Sequence, residues 1–529
     1  MLAKRLLHRW LAAWVAAALA IGCLAINHTS AESTSGGASR SAPPMEIDSY
    51  IEQQMARLNI PGAALAIVEG DQIVHQRGFG RARPGGESPS PQTPFVLGSI
   101  TKSFTALAVM QLVETGKIDL DAPVQQYLPW FRVADPLASA QITVRQLLTQ
   151  TSGLSTACGW IPLTDYDDAP GAGERQARTL AALQLTRPVG SAFEYSNMNY
   201  NLLGLIVEAA SGESYAAYVQ NHIFRPLDMR HSYATRAEAK QNGLAMGHRY
   251  WFAHPVADPE EQFPLGSLPS GQLISSTEDM SHYLIAQLNG GRYGDAQVLS
   301  PAGIAEMQCP AAEFTVMGVA GQYGMGWFID GQDQAKIVWH DGVVPDFFAY
   351  VAILPQQKKG LVLLMNADHF VMCNTALLEV GTGAARLLAG GQADSIWVSV
   401  IPWALRGLLL IPALQIIGVA ATLRLSGRWR RDPGSRPSRG RMWGLHILLP
   451  LIPNLSLVAI PISLQASGLL PFLLRFGPDF SWLALICGGF AGIWTFLRTG
   501  LILWALRRPR SLPAPGEPPR SGSAAFRKS

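Results

Sequence analysis

The chain has 529 residues, 48% of them hydrophobic, with 41 basic and 38 acidic side chains and a net charge of +3. That length exceeds one ordinary domain. The near balance of charge, with arginines gathered beside apolar segments and no folded basic domain around them, argues against a nucleic-acid partner. Of the five cysteines, only Cys158, Cys309 and Cys373 fall in the soluble-looking part of the chain, without a C-x-x-C pair. They form neither a disulfide framework nor a zinc site, and they leave room for one disulfide.

In chain order, Lys4, Arg5 and Arg9 precede an apolar run from Trp10 to Ile26. Residues 1–31 therefore read as a signal peptide or N-terminal anchor. Thr29-Ser30-Ala31 offers a small-residue cleavage site, and Cys23 after Gly22 is a weak lipidation signal. Either way, the body that follows is expected to be exported. Residues 45–392 carry scattered charges among short periodic segments. Ile47–Leu58 has helical spacing, and Gly62–Val68 and Gln72–Arg77 read as two strands joined at Gly70-Asp71. A helix is predicted over Thr101–Thr115, ended by Gly116, and another over Asn199–Ser211. Lys336–His340, Phe347–Leu354 and Leu361–Met365 read as strands, and Asn374–Leu388 as a closing helix. Two strands at the start and three at the end predict an α+β domain. Its antiparallel sheet is built from both termini and flanked by helices, with a helical lobe between.

Trp397–Leu423, Trp443–Leu464 and Phe480–Leu506 are each long and apolar enough to cross a bilayer, so residues 397–506 read as three transmembrane helices. Arg406 and Arg498 lie where their heads can snorkel to the headgroups. The loop from Arg424 to Arg441 is rich in arginine with Asp432 as its one acid, and Arg507, Arg508 and Arg510 follow the third span. The positive-inside rule makes that loop and the 507–529 tail cytoplasmic, and three spans then leave residues 45–392 outside. With no internal repeat and no buried acidic pair, the spans read as an anchor, not a transporter.

The chemistry begins at Ser99-Ile-Thr-Lys102. Residues three apart share a helix face, so Lys102 can take the proton of the Ser99 hydroxyl, provided burial beside Phe104, Ala106 and Leu107 lowers its pKa. The Gly98-Ser99 turn opens a helix whose free N–H groups favour negative charge. Tyr195-Ser-Asn197 follows a loop. Alone, Tyr195 reads as a turn cap; after Ser-x-x-Lys it reads as a proton shuttle, with Asn197 bonding substrate or Lys102. His340-Asp-Gly342 sits at a strand end. The plain alternative is a surface histidine. The functional reading makes His340 a donor to substrate or Tyr195 and lets substrate backbone approach Gly342. The Val343 N–H then pairs with that of Ser99 as an oxyanion hole. His248, His254 and His282 show no metal spacing, and no cofactor is expected.

Together, Ser99-Ile-Thr-Lys102, Tyr195-Ser-Asn197 and His340-Asp-Gly342 resemble the three motifs of the serine β-lactamase-related and penicillin-binding superfamily. The Tyr-x-Asn and His-x-Gly forms are similar to its class C branch. Supporting runs are Leu147-Leu-Thr-Gln-Thr-Ser-Gly-Leu154, Asn201–Glu208, Pro269–Met280 and Tyr323-Gly-Met-Gly-Trp327. The resemblance covers roughly residues 45–390 and implies an acyl-enzyme on Ser99, with Lys102 and Tyr195 as bases and the sheet-plus-lobe fold. It departs at His340, where lysine is usual, at Asp341, where a hydroxyl residue is usual, and at Val343 and Asp346, where glycines are frequent. A neutral imidazole beside a carboxylate is a poor receptor for an anionic terminus. That points to ester, amide or peptide cleavage, on small-molecule or peptide substrates that include D-amino-acid ones. β-Lactamase or D-alanyl-D-alanine peptidase work becomes an alternative. The three C-terminal spans are also similar to those of membrane peptidases that unmask acylated peptide prodrugs, though Val96 and Asn197 depart from that pattern. A silent cell-wall sensor is a further alternative. Of protein partners the sequence says nothing; the membrane is the one macroscopic partner it predicts.

Overall fold

Gly62–Glu69 (β1) is buried along every residue but the last, as its continuous apolar run demands. Its alternate side chains feed two cores: Ala64, Ala66 and Val68 pack on one face of the sheet, and Ala63, Leu65 and Ile67 on the other. The computed structural model describes residues 44–507, apart from 166, 260–263, 317–318, 332–335 and 394–396. The expected signal segment and the tail beyond 507 lie outside the described residues.

The remaining strands of the sheet are β2 (Gln72–Gly80), β3 (Ala312–Val316), β4 (Val319–Tyr323), β5 (Phe328–Asp330), β6 (Ile337–Val344), β7 (Phe347–Leu354) and β8 (Lys359–Met365). They run in the order β2-β1-β8-β7-β6-β5-β4-β3. The expected five-stranded sheet from both termini is therefore present but extended by β3, β4 and β5. Those are short, and Gly321 interrupts the middle one, so they lack the sustained alternation that marks a strand in sequence. A second revision concerns β6. It does not stop at His340 but runs on to Val344, because Asp341–Val344 continue the ladder to Phe347–Tyr350 of β7.

Helix α1 (Pro44–Leu58) and helix α6 (Ala376–Leu388) cover one face of the sheet. The other face carries α2 (Thr101–Glu114), α5 (Thr277–Leu288) and the lobe built around α4 (Asn197–Ser211), with the short α3 (Ile161–Thr164) beside it. Cys158, Cys309 and Cys373 are free thiols.

The first apolar segment is not one continuous helix from 397 to 423. It divides into α7 (Trp397–Gly407) and α8 (Leu410–Arg431). In α7, Val398, Ile401 and Leu405 are buried in the core under α1 and α6, so part of that hydrophobicity serves the body. Arg406 lies over the Trp403 ring. Two further apolar helices follow, α9 (Arg439–Ala466) and α11 (Pro478–Leu506). Three helices are thus long and apolar enough to span a membrane. Arg498 donates to the His446 carbonyl and the Thr422 hydroxyl. The short α10 (Leu469–Phe476) between α9 and α11 belongs, with residues 463–482, to the same compact unit as the body.

Candidate active site

Ser99 lies in a single 3-10 turn, Gly98–Ile100, that feeds directly into α2. The turn needs glycine at 98: its φ is +56°, and a Cβ there would lie 2.4 Å from the Val343 nitrogen. The same close approach holds at Gly342, where a Cβ would fall 1.9 Å from the Leu97 carbonyl oxygen. Both glycines let the nucleophile turn press against β6, which brings the Ser99 and Val343 backbones together.

Lys102 is fully buried. Its Nζ lies 2.9 Å from Ser99 Oγ, 2.7 Å from Asn197 Oδ1 and 2.7 Å from the Ser270 carbonyl. Burial drives its pKa well down, opposed only in part by the charge of Asp341. A neutral amine has two N–H donors and one lone pair. In that form the Asn197 and Ser270 oxygens, both acceptors, would take the two protons and leave the lone pair facing the Ser99 hydroxyl. Three contacts and burial hold one desolvated nitrogen against the Ser99 hydroxyl.

Tyr195 reaches the same point from the lobe. Its ring lies 4.9 Å from Lys102 Nζ. Burial, with Tyr323 and Asp341 nearby, raises its pKa well above the ordinary phenol value, opposed in part by the Ser99 hydroxyl. Tyr195 is therefore a protonated phenol at neutral pH, and Lys102 is the better proton acceptor of the pair. Asn197 opens α4, two residues earlier than expected, and its amide Nδ2 donates to the Gly159 carbonyl.

The loop carrying Tyr195 is held by Gln150, a buried residue with φ +60°. The Gln150 side-chain oxygen accepts from the Ser196 N–H and the Asn199 amide, and its backbone carbonyl accepts from the Glu194 N–H. Left-handed backbone at a non-glycine residue costs energy and gathers at functional sites. Sequence reasoning assigned no role to Gln150 or Ser270, although both lie in runs that match the superfamily. A hint of the fold's demand was the Thr149-Gln150-Thr151-Ser152-Gly153 stretch of turn formers.

On β6 the strand period separates two sequence neighbours. His340 is buried on the nucleophile side, its ring centroid 6.4 Å from that of Tyr195 and 4.9 Å from that of Phe328. Its Nδ1 bonds the Asp341 carbonyl, and burial pushes its pKa down to about 3. His340 is neutral, as the sequence implied, but lies inside the strand rather than on a surface. Asp341 occupies the alternate pleat with Trp339 and Val343. Burial raises its carboxyl to about 6. Even from that pleat its Oδ1 lies 3.9 Å from His340 Nδ1 and its charge acts on Lys102 and Tyr195, so it remains part of the site's electrostatics. Beyond Trp339, β5 no longer pairs with β6, and the free edge of residues 340–344 faces the Ser99 turn. Asp346, at a turn position where glycine is frequent, has φ +76° and is held by two bonds from Arg249, of 2.9 and 2.8 Å. The guanidinium offsets the backbone strain. Among the described residues, no group of three or more His, Cys, Asp and Glu side chains is placed to hold a metal ion.

The structure thus brings Ser99, Lys102, Tyr195, Asn197, His340, Gly342 and Val343 to one cleft between sheet and lobe. Residues 47–381 match the Beta-lactamase family model. Protein flp of Staphylococcus aureus is 30% identical over 330 residues, covering 61% of this chain and 63% of its own length, so the chain spans less than two thirds of that relative. Penicillin-binding protein 4 of Amycolatopsis lactamdurans is 30% identical over 322 residues, covering 58% of this chain and 81% of its own. The octameric penicillin-binding protein homologue from Pyrococcus abyssi superposes with a TM-score of 0.57 at 29% identity, over 66% of this chain and 78% of that one. The matched residues hold the whole cleft, and the chain belongs to the beta-lactamase family.

Proposed function

We propose that the protein is a membrane-anchored serine hydrolase that forms an acyl-enzyme on Ser99 and cleaves ester, amide or peptide bonds outside the cytoplasmic membrane. The observation that carries this reading is the buried Lys102 Nζ 2.9 Å from Ser99 Oγ, held there by Asn197 Oδ1 and the Ser270 carbonyl. In the acylation step, Ser99 Oγ bonds to the substrate carbonyl carbon as its proton passes to Lys102 Nζ. The resulting oxyanion accepts from the Ser99 and Val343 N–H groups. Tyr195, protonated at rest, gives its proton to the leaving oxygen or nitrogen as the scissile bond breaks, and Lys102 returns a proton to it. Water then attacks the ester on Ser99 along the reverse path. Asn197 steers Lys102, and the neutral His340 shapes the cleft without offering a fixed cation.

The reading is tested by fluorophosphonate labelling and hydrolysis of small acyl esters by the full-length protein. Ser99→Ala should abolish both while leaving the melting transition unchanged. Activity above a few per cent of wild type in that variant removes Ser99 as nucleophile. A fluorescent penicillin run alongside distinguishes a general hydrolase, which labels weakly, from a penicillin-binding peptidase. Export of the body rests on the arginine-rich 424–441 loop, which the positive-inside rule keeps in the cytoplasm.

A further inference from the structure

The segment between the second and third apolar helices packs on the cleft. In α10, Phe472 stacks on Trp160 of the lobe at 5.0 Å between centroids and 22° between planes, and meets Phe370 edge-on at 5.5 Å. Phe472, Leu473 and Phe476 are buried in one apolar cluster with Leu163 of α3, and Val343 of β6 packs against it. The two sides of this cluster are the two walls of the acyl site. Trp160 follows Gly159, whose carbonyl accepts from Asn197, the residue that steers Lys102. Val343 supplies the second oxyanion N–H of the proposed mechanism. The helix between two apolar spans is therefore wedged behind both the base-steering amide and the oxyanion strand.

A buried polar clasp holds the wedge. Asp479, just after α10, accepts from His369 Nε2 at 2.9 Å, and both side chains are fully buried. His369 Nδ1 accepts the Val371 N–H, which leaves the ring proton on Nε2 for Asp479. The second Asp479 oxygen accepts the N–H of Phe252, in a turn where Phe252 and Ala253 both have positive φ. With the Phe480 N–H on the first oxygen as well, the buried carboxylate has three defined neighbours and specifies one docked position, since any other leaves charge unpaired.

Resting on the hydrolase reading above, we propose that α10 is a positioning element of the acyl site. Phe472 and Asp479 set the spacing between Val343 and the lobe, so catalysis depends on the inter-span segment. The chemistry to be seen is a loss of transition-state contact. An oxyanion N–H moved by a fraction of an ångström weakens the tetrahedral intermediate more than the bound ester.

The test uses full-length protein in nanodiscs, with p-nitrophenyl acetate as substrate and exhaustive fluorophosphonate titration to count working sites. Per titrated site, Phe472→Ala and Asp479→Asn should lower kcat about tenfold or more with KM within about twofold. Phe472→Leu, which refills most of the volume, should recover at least half of the loss. A merely structural role would reduce the number of titratable sites and leave kcat per site unchanged; that outcome overturns the proposal. If Phe472→Ala gives no folded protein, the nearly isosteric Asp479→Asn decides by the same readout. Wild-type protein without Ser99-dependent labelling overturns the hydrolase reading, and this inference with it.

Discussion

Lys102 Nζ stands 2.7 Å from Asn197 Oδ1, a bond that joins the nucleophile helix to the helical lobe across 95 positions of sequence. It makes the direction of the Lys102 lone pair a property of two elements and not of one. Because burial holds Lys102 well below the ordinary lysine value, the proposed hydrolase activity should fall on the acid side as that amine takes up a proton. Asn197→Asp places a carboxylate against the amine, favours its charged form and raises its pKa. The acid limb of kcat/KM should therefore move to higher pH in that variant. A pH–rate profile with an unmoved limb would show that Lys102 is not the group titrating.

In the proposed mechanism Tyr195, protonated at rest, serves the leaving group. Tyr195→Phe should cost on the order of a hundredfold for an anilide or peptide substrate, the range for a positioned acid or base. For a p-nitrophenyl ester, whose leaving group departs as a stable anion, the loss should be markedly smaller. Comparing kcat/KM for the two substrates in one preparation checks this. Equal losses would assign the tyrosine to activation of Ser99 instead.

His340 bears on substrate charge. With its pKa pushed down to about 3, it carries no charge anywhere between pH 5 and 8, and its site presents no fixed cation. Substrates that differ only in a terminal carboxylate or its amide should be cleaved unequally, the neutral member preferred. His340→Lys should narrow or reverse the preference. Asp341, whose charge acts on Lys102 and Tyr195, adds to that preference once it is ionised. A wild-type preference for the carboxylate would mean that a cation elsewhere in the cleft receives it, and would favour a carboxypeptidase.

Topology is open to a direct assay. A reporter enzyme fused after Ser435, within the arginine-rich loop, should be active only as a cytoplasmic fusion, and one fused after Gly391 only as an exported fusion. The reversed pattern would overturn the three-span orientation.

The sequence alone was enough for everything that depends on local spacing. Ser99 and Lys102 share a face because three residues make nearly one helical turn. β1, β2, β7 and β8 announce themselves by apolar runs between turn formers, and the C-terminal helices by length and hydropathy. The order of the three motifs, with their family resemblance, pointed to one cleft. Only the tertiary structure decided what depends on distant partners. Ser270 matters through a carbonyl, which no side-chain pattern records. Gln150 matters through a left-handed backbone that holds the Tyr195 loop. His340 and Asp341, adjacent in sequence, part to opposite faces only because β6 runs on to Val344 against β7. The inter-span helix, whose apolar residues look like membrane hydrophobicity, turns its Phe472 into the gap between Trp160 and Phe370. Hydropathy counts apolar side chains but is blind to which of them find a protein partner, and that is settled by packing.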